Sequence, residues 1–209
     1  MPATETVYII DDDASLRDAM ESLVKTVGLE ARSYESPTAF LEGKHDDLAG
    51  CLVLDIRLPG TNGLDFQDRL ASHGIPLPVV FMSGHGDVPM SVRGMKSGAV
   101  DFLLKPFRDQ DMLDAIDRAF VRDRVRRAAA ADRVSLLRRF ETLTVRERQV
   151  VDLVVLGAMN KQVAADLSLS EITVKIHRGT AMRKMQAKTL PDLVRMTEAL
   201  RLGSADVQT

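Results

Sequence analysis

Four separated places in the 209-residue sequence carry groups able to do phosphoryl chemistry together. Asp11-Asp12-Asp13 follows the apolar run V-Y-I-I, and Asp55 follows L-V-L. Ser83 follows V-V-F-M, and Lys105 follows F-L-L. Carboxylates that converge repel one another unless a cation lies among them. An all-oxygen ligand set with room for water suits Mg²⁺, which takes one or two carboxylates and a phosphate oxygen. A hydroxyl and an ammonium beside them would set donors and positive charge around a transferring phosphoryl group. Each piece alone is weak, since an Asp after a strand is more often a turn or helix-cap residue. Order and placement together make the signal.

The elements that must position these groups follow from the apolar pattern. Residues 7–10, 51–54, 79–82 and 100–104 are short apolar runs rich in β-branched side chains, and they predict buried strands. Residues 30–34 are more polar, as an edge strand would be. Helical patterns lie between them, at about 14–27, 36–41, 63–71, 88–97 and from Asp109 onward. Five strands alternating with five helices predict an α/β doubly wound five-stranded parallel sheet, covered on both faces. Such a sheet binds ligands at the carboxyl ends of its strands. Asp11, Asp55, Ser83 and Lys105 all fall at such ends.

The remainder of the chain has another character. The net charge of −2 conceals 11 Lys and Arg against 20 Asp and Glu in residues 1–120, and 17 against 10 in residues 121–209. These are balances of −9 and +7, an asymmetry expected of a nucleic-acid-binding portion beside a different module. From Asp109 no Gly or Pro occurs before Gly157. Residues 122–131 read as polar all round, which suits a helix bridging two domains. The domains expected are 1–122, a helical linker over 123–140, and a small all-α domain over 141–209.

In that last domain Thr144 and Glu147 have capping-box spacing. Asn160 is expected to cap a helix over 161–167, and Ser170 a longer one to about Met185, with Ser168-Leu169-Ser170 as the turn between. A short helix, a tight turn and a longer basic helix make a helix-turn-helix pattern. On the longer helix Val174, His177, Ala181 and Met185 share the inward face. Lys175, Ile176, Gly179, Thr180 and Arg183 lie on the other face and could enter a major groove. A generic bundle with a solvated basic face is the bland alternative, and the charge split weighs against it.

The composition, 45% hydrophobic and 28% charged, is that of a globular protein. No apolar run reaches the ~20 residues that cross a bilayer, and residues 1–6 do not read as a signal sequence. The single cysteine, Cys51, can form no internal disulfide and no Cys-rich zinc site. These features predict a cytoplasmic protein with no membrane partner.

The segments V-Y-I-I-D-D-D, L-V-L-D-I-R-L-P-G, F-M-S-G-H-G and F-L-L-K-P-F resemble the receiver domain of two-component response regulators, over about residues 5–122. The resemblance implies a flavodoxin-like fold in which Asp55 accepts a phosphoryl group from a sensor histidine kinase. It implies Mg²⁺ bound by Asp12, Asp55 and the backbone carbonyl of Arg57, with Asp11 helping through water. Lys105 would pair with the acyl phosphate, and Ser83 and Phe102 would form the switch pair. The segments L-T-V-R-E-R, G-A-M-N-K-Q-V-A, L-S-x-x-T-V-K-I-H and R-K-M are similar to the LuxR-type DNA-binding domain, over about residues 139–202. That resemblance makes Lys175, Ile176 and Gly179 base-facing and Lys161, Thr173 and Lys184 phosphate contacts. Gly179 departs from the longer side chains often found there.

Receiver, helical linker and LuxR-type domain occur in this order in the NarL/FixJ class of response regulators. The expected function is regulation of transcription by binding promoter DNA, as a phosphorylation-promoted homodimer, with RNA polymerase as a further partner. An enzyme with an aspartyl-phosphate intermediate is the competing reading. Such enzymes typically carry a second acid two residues after the nucleophile, where this chain has Arg57, so no enzyme is expected. A constitutive DNA-binding protein with a degenerate receiver is the other competitor, and the complete acidic set argues against it.

Overall fold

A computed structural model describes residues 5–43, 48–84 and 88–205. His85 and Gly86 of the fourth-strand motif lie outside the described residues. The chain divides into two units, Met1–Arg126 and Arg127–Thr209.

In the first unit, strands β1 (Thr6–Ile10), β2 (Glu30–Tyr34), β3 (Gly50–Asp55), β6 (Val79–Ser83) and β7 (Asp101–Leu104) form one sheet in the order β2-β1-β3-β6-β7. Every pairing is parallel. Helices α1 (Ala14–Thr26), α2 (Pro37–Leu41), α3 (Gly63–Leu70), α4 (Val88–Lys96) and α5 (from Asp109) make the crossovers. A two-residue pair, β4 (Arg57–Leu58) and β5 (Thr61–Asn62), forms a small antiparallel ladder after β3 that the apolar pattern gave no reason to expect.

Alternation along the strands separates two apolar layers. Val7, Ile9, Cys51, Val53, Val80 and Met82 pack with Met20 and Val24 of α1 and Met112, Ile116 and Phe120 of α5. Tyr8, Ile10, Leu52, Leu54 and Phe81 point the other way, towards Phe40, Leu64, Phe66 and Leu70. Burial on both faces makes the central strands nearly continuous apolar runs, which is why they were legible. The order runs outward in opposite directions from β1 and β3, so the crevice between their carboxyl ends is the place where this topology opens a ligand site.

One expectation about the linker is corrected. Asp123 was read as part of an all-polar stretch, yet its side chain is fully buried. Its Oδ2 accepts the Gly50 backbone N–H at 3.0 Å, and its Oδ1 accepts from the Arg126 guanidinium at 2.6 Å. Gly50 has φ +129°, and a Cβ there would lie 1.9 Å from the Thr6 carbonyl oxygen, so only glycine fits. Arg122 also donates to the Gly98 carbonyl at 2.9 Å. The first turns of the expected linker therefore belong to the first unit. Helix α5 runs through Asp109–Glu141.

The second unit contains α6 (Val145–Val155), α7 (Asn160–Leu167), α8 (Glu171–Met185) and α9 (Leu190–Ala205). Leu143, Val151, Ala181, Met185 and Leu193 form one apolar cluster, and Val150, Val154, Val163, Ala164 and Val174 another. The capping box is formed as expected: Thr144 Oγ1 accepts the Glu147 N–H and Glu147 Oε2 accepts the Thr144 N–H. Ser170 caps α8 by accepting the Thr173 N–H at 3.1 Å. The cap of α7 is Met159 rather than Asn160. Gln162 Oε1 accepts the Met159 N–H at 2.8 Å, which frees Asn160 to accept from Arg178 of α8.

Candidate functional site

The carboxyl ends of β1, β3 and β7 bring three of the predicted groups into direct contact. Lys105 Nζ donates to Asp11 Oδ2 at 2.5 Å and to Asp55 Oδ2 at 2.6 Å. Oxygens of Asp11, Asp12 and Asp55 all lie within 4.8 Å of one another. Asp11 and Asp55 are buried, whereas Asp12 is exposed. The adjacent Asp13 takes the bland role foreseen for such runs: its Oδ1 accepts the Ser15 and Leu16 N–H groups and caps α1.

The carboxylates are held from behind by backbone. Asp11 Oδ1 accepts the Asp13 N–H at 2.9 Å, and Arg17 donates to the Asp11 carbonyl at 2.8 Å. Asp55 Oδ1 accepts the Arg57 N–H at 3.0 Å. The loop after Asp55 turns tightly against α3, where the Gly63 N–H donates to the Ile56 carbonyl at 2.9 Å. A Cβ on Gly63 would sit 2.4 Å from the Asp55 carbonyl oxygen, so a larger residue would displace Asp55. Arg57 and Asp12 line one shallow depression with residues 58–62.

Burial pushes the Asp11 carboxyl above the usual carboxylate range, against hydrogen bonds from Lys105 and Asp13 and with the Asp55 charge adding to the rise. Burial acts on Lys105 in the opposite sense, but hydrogen bonds and charge from Asp11 and Asp55 outweigh it and raise its pKa. Lys105 therefore stays a cation, and its side chain keeps 21% exposure, within reach of an incoming group. Ser83 is fully buried at the end of β6, and its carbonyl accepts the Lys105 N–H at 2.8 Å. Phe102, half-buried on β7, tilts against Phe81 with ring centroids 6.5 Å apart.

The second unit presents the predicted helix as expected. Val174, Ala181 and Met185 are fully buried and His177 is half-buried. Lys175, Ile176, Gly179 and Arg183 are exposed, and Thr173 and Thr180 are partly so. Lys161, on α7, is exposed too. Lys184 differs: its ammonium donates to Glu147 Oε2 at 2.7 Å and to the Thr142 carbonyl at 3.0 Å. The ammonium is thus paired within the second unit, while 32% of the side chain stays exposed. Ile172 is exposed on the same face as Ile176 and was not singled out from the sequence. Its place two residues into the helix was the available signal.

Comparisons with known proteins agree with this geometry. The family model "Response regulator receiver domain" matches residues 7–117, and "Bacterial regulatory proteins, luxR family" matches residues 141–197. Nodulation protein W of Bradyrhizobium diazoefficiens is 52% identical over 198 residues, covering 95% of this chain and 87% of that protein. The transcriptional regulatory protein FixJ of Rhizobium meliloti is 41% identical over 198 residues, covering 95% and 97%. Among solved structures, the response regulator StyR superposes with a TM-score of 0.78 at 42% identity, covering 94% of this chain and 99% of that one. Two families in one order, on a matching fold, decide the matter: the chain belongs to the response regulators of the NarL/FixJ class, transcriptional regulators with a receiver domain and a LuxR-type DNA-binding domain.

Proposed function

We propose that Asp55 accepts a phosphoryl group from the phosphohistidine of a sensor kinase and that phosphorylation promotes a homodimer that binds promoter DNA. The single observation that carries the reading is the meeting of Asp11, Asp12, Asp55 and Lys105 at the switch point of the sheet. An Asp55 carboxylate oxygen forms the new bond to phosphorus as the phosphorus–nitrogen bond breaks, and the electron pair stays with the departing imidazole. Hard oxygens with an exposed member fit Mg²⁺. Asp12, Asp55 and the Arg57 carbonyl would hold it, with Asp11 acting through water. When bound, the ion neutralises charge on the phosphoryl oxygens. Lys105 already stands at hydrogen-bond distance from Asp55 and offers its ammonium to the same oxygens. Ser83 and Phe102, on neighbouring strands, form the switch pair that responds.

The surface that receives this response is α4 with β7, where Val92, Met95 and Leu104 expose apolar side chains. Dimerisation there raises the effective concentration of two linked DNA-binding domains on a two-half-site operator. Lys175, Ile176, Gly179, Thr180 and Arg183 face the bases; Lys161 and Thr173 contact phosphates. The receiver domain runs to Arg126, where Asp123 anchors α5 to the sheet, the rest of α5 to about residue 140 is the linker, and 141–209 is the DNA-binding domain. The protein works in the cytoplasm, recruits RNA polymerase, and is no enzyme towards external substrates. Sedimentation with and without acetyl phosphate and Mg²⁺, paired with operator binding, tests the scheme. A rise in mass that accompanies tighter binding is expected; tighter binding at constant mass would refute the dimer route.

A further inference from the structure

Two isoleucines stand out on α8, the second helix of the helix-turn-helix. Ile172 is 74% exposed and Ile176 is 62% exposed, one helical turn apart. Neither joins the two apolar clusters of the second unit. Singly exposed aliphatic residues are ordinary. These two, however, lie on one stripe with Lys175, Gly179 and Arg183, all of them exposed. The opposite face of the helix, through Val174, Ala181 and Met185, is fully buried.

We propose that Ile172 and Ile176 form a ridge that reads the 5-methyl groups of thymines in the operator. The inference rests on the DNA-binding reading given above and adds the chemistry of the bases read. Thymine carries the methyl group that distinguishes it in the major groove, and aliphatic side chains recognise it by contact. The N-terminal part of the second helix is the part that reaches base edges in this motif, and Ile172 and Ile176 occupy it. An isoleucine in a helix is stiff at its first side-chain torsion, so its methyls are fixed before binding.

The charge around the ridge selects the occupant. Lys175 and Arg183 flank it on the same helix, in a segment (residues 121–209) whose balance is +7, and a polyanion is the complementary partner. Two side chains offer too little apolar area for a stable protein interface, which needs roughly 1,000 Å² or more. Gly179, one turn further on, removes a competing side chain. A Cβ there would meet nothing within 4 Å, so the fold does not require glycine. The helix surface is low at 179, and the isoleucines are the features that approach the groove floor. Their separation of four residues is about 6 Å along the axis, and stacked base pairs are about 3.4 Å apart. The ridge is therefore short enough to fall on a few adjacent base pairs of each half-site.

Deoxyuridine lacks only the methyl and pairs like thymidine, which makes it the probe. The operator is first located by footprinting the phosphorylated full-length chain, and each thymidine is then replaced in turn. One or two positions per half-site are expected to weaken binding about fourfold, the worth of one buried methyl group. Ile172→Ala and Ile176→Ala should each abolish the sensitivity at one position and leave the salt dependence unchanged. Both sites are exposed and alanine favours helix, so circular dichroism should match the wild type. An operator indifferent to every replacement overturns the ridge, as does methyl sensitivity that survives in both variants. If Lys175→Ala still weakens operator binding in either case, the DNA-binding reading stands without the ridge. A chain that selects no operator overturns both.

Discussion

Replacing Asp123 by Ala tests how α5 is fastened to the base of the sheet. The variant removes the acceptor of Gly50 and the carboxylate partner of Arg126. The Gly50 N–H, buried between β1 and α5, loses its acceptor at 3.0 Å, and an unsatisfied buried donor costs about 1–3 kcal/mol. The Arg126 guanidinium loses its 2.6 Å partner, but it is 31% exposed and can turn to water, so this adds only about 1 kcal/mol. The expected destabilisation is about 2–4 kcal/mol. With a urea slope of about 2 kcal/mol per M, the midpoint falls by about 1–2 M. Tyrosine fluorescence follows the first unit alone, because the chain has no Trp and its two tyrosines are Tyr8 and Tyr34. Asp123→Asn keeps an acceptor for Gly50 and should recover about half of the loss. A midpoint within about 0.2 M of wild type for the Ala variant, well below the loss expected for an unsatisfied donor, would refute the reasoning. So would an Asn variant no better than Ala.

Three further outcomes are expected. Asp11→Asn should stabilise the first unit at neutral pH: burial raises the native Asp11 pKa above its unfolded value of 3.8, so ionising this carboxyl costs the native state more than the unfolded chain. That term lowers wild-type stability as pH rises above about 4 and vanishes below it, so urea midpoints of the two proteins should converge in acid; a gap that widens there contradicts the assignment. Lys175→Ala should weaken operator binding by ~1–3 kcal/mol if it reads a base, whereas equal loss on all DNA with a smaller salt slope would make it a phosphate contact. A Gly-Gly insertion between Ala129 and Ala130 interrupts α5 and should impair phosphorylation-dependent DNA binding while leaving Asp55 labelling intact; unchanged regulation would reduce the helix to a tether.

The parts of the fold that were legible are those where one physical cause dominates. Strands buried on both faces must be apolar throughout, so β1, β3 and β6 were visible, and their carboxyl ends carried Asp11, Asp55 and Ser83 to one edge. Thr144 and Glu147 were visible because a capping box is local. Asp123 was not, because its partner Gly50 is 73 residues away and nothing near Asp123 announces a missing acceptor there. Lys184 looked like one basic residue among many until the fold brought Glu147 to it. Asn160 fitted the statistics of a cap, but Gln162 satisfied the helix end first. The exposure of Ile172 required knowing which face of α8 the core takes.

The central claim is that Asp55 is the phosphoacceptor. Incubating the full chain with radiolabelled acetyl phosphate and Mg²⁺, beside an Asp55→Asn variant that keeps size and shape, tests it directly. The account predicts acid-stable, base-labile label on the wild type at Asp55 and none on the variant; full labelling of the variant would contradict it.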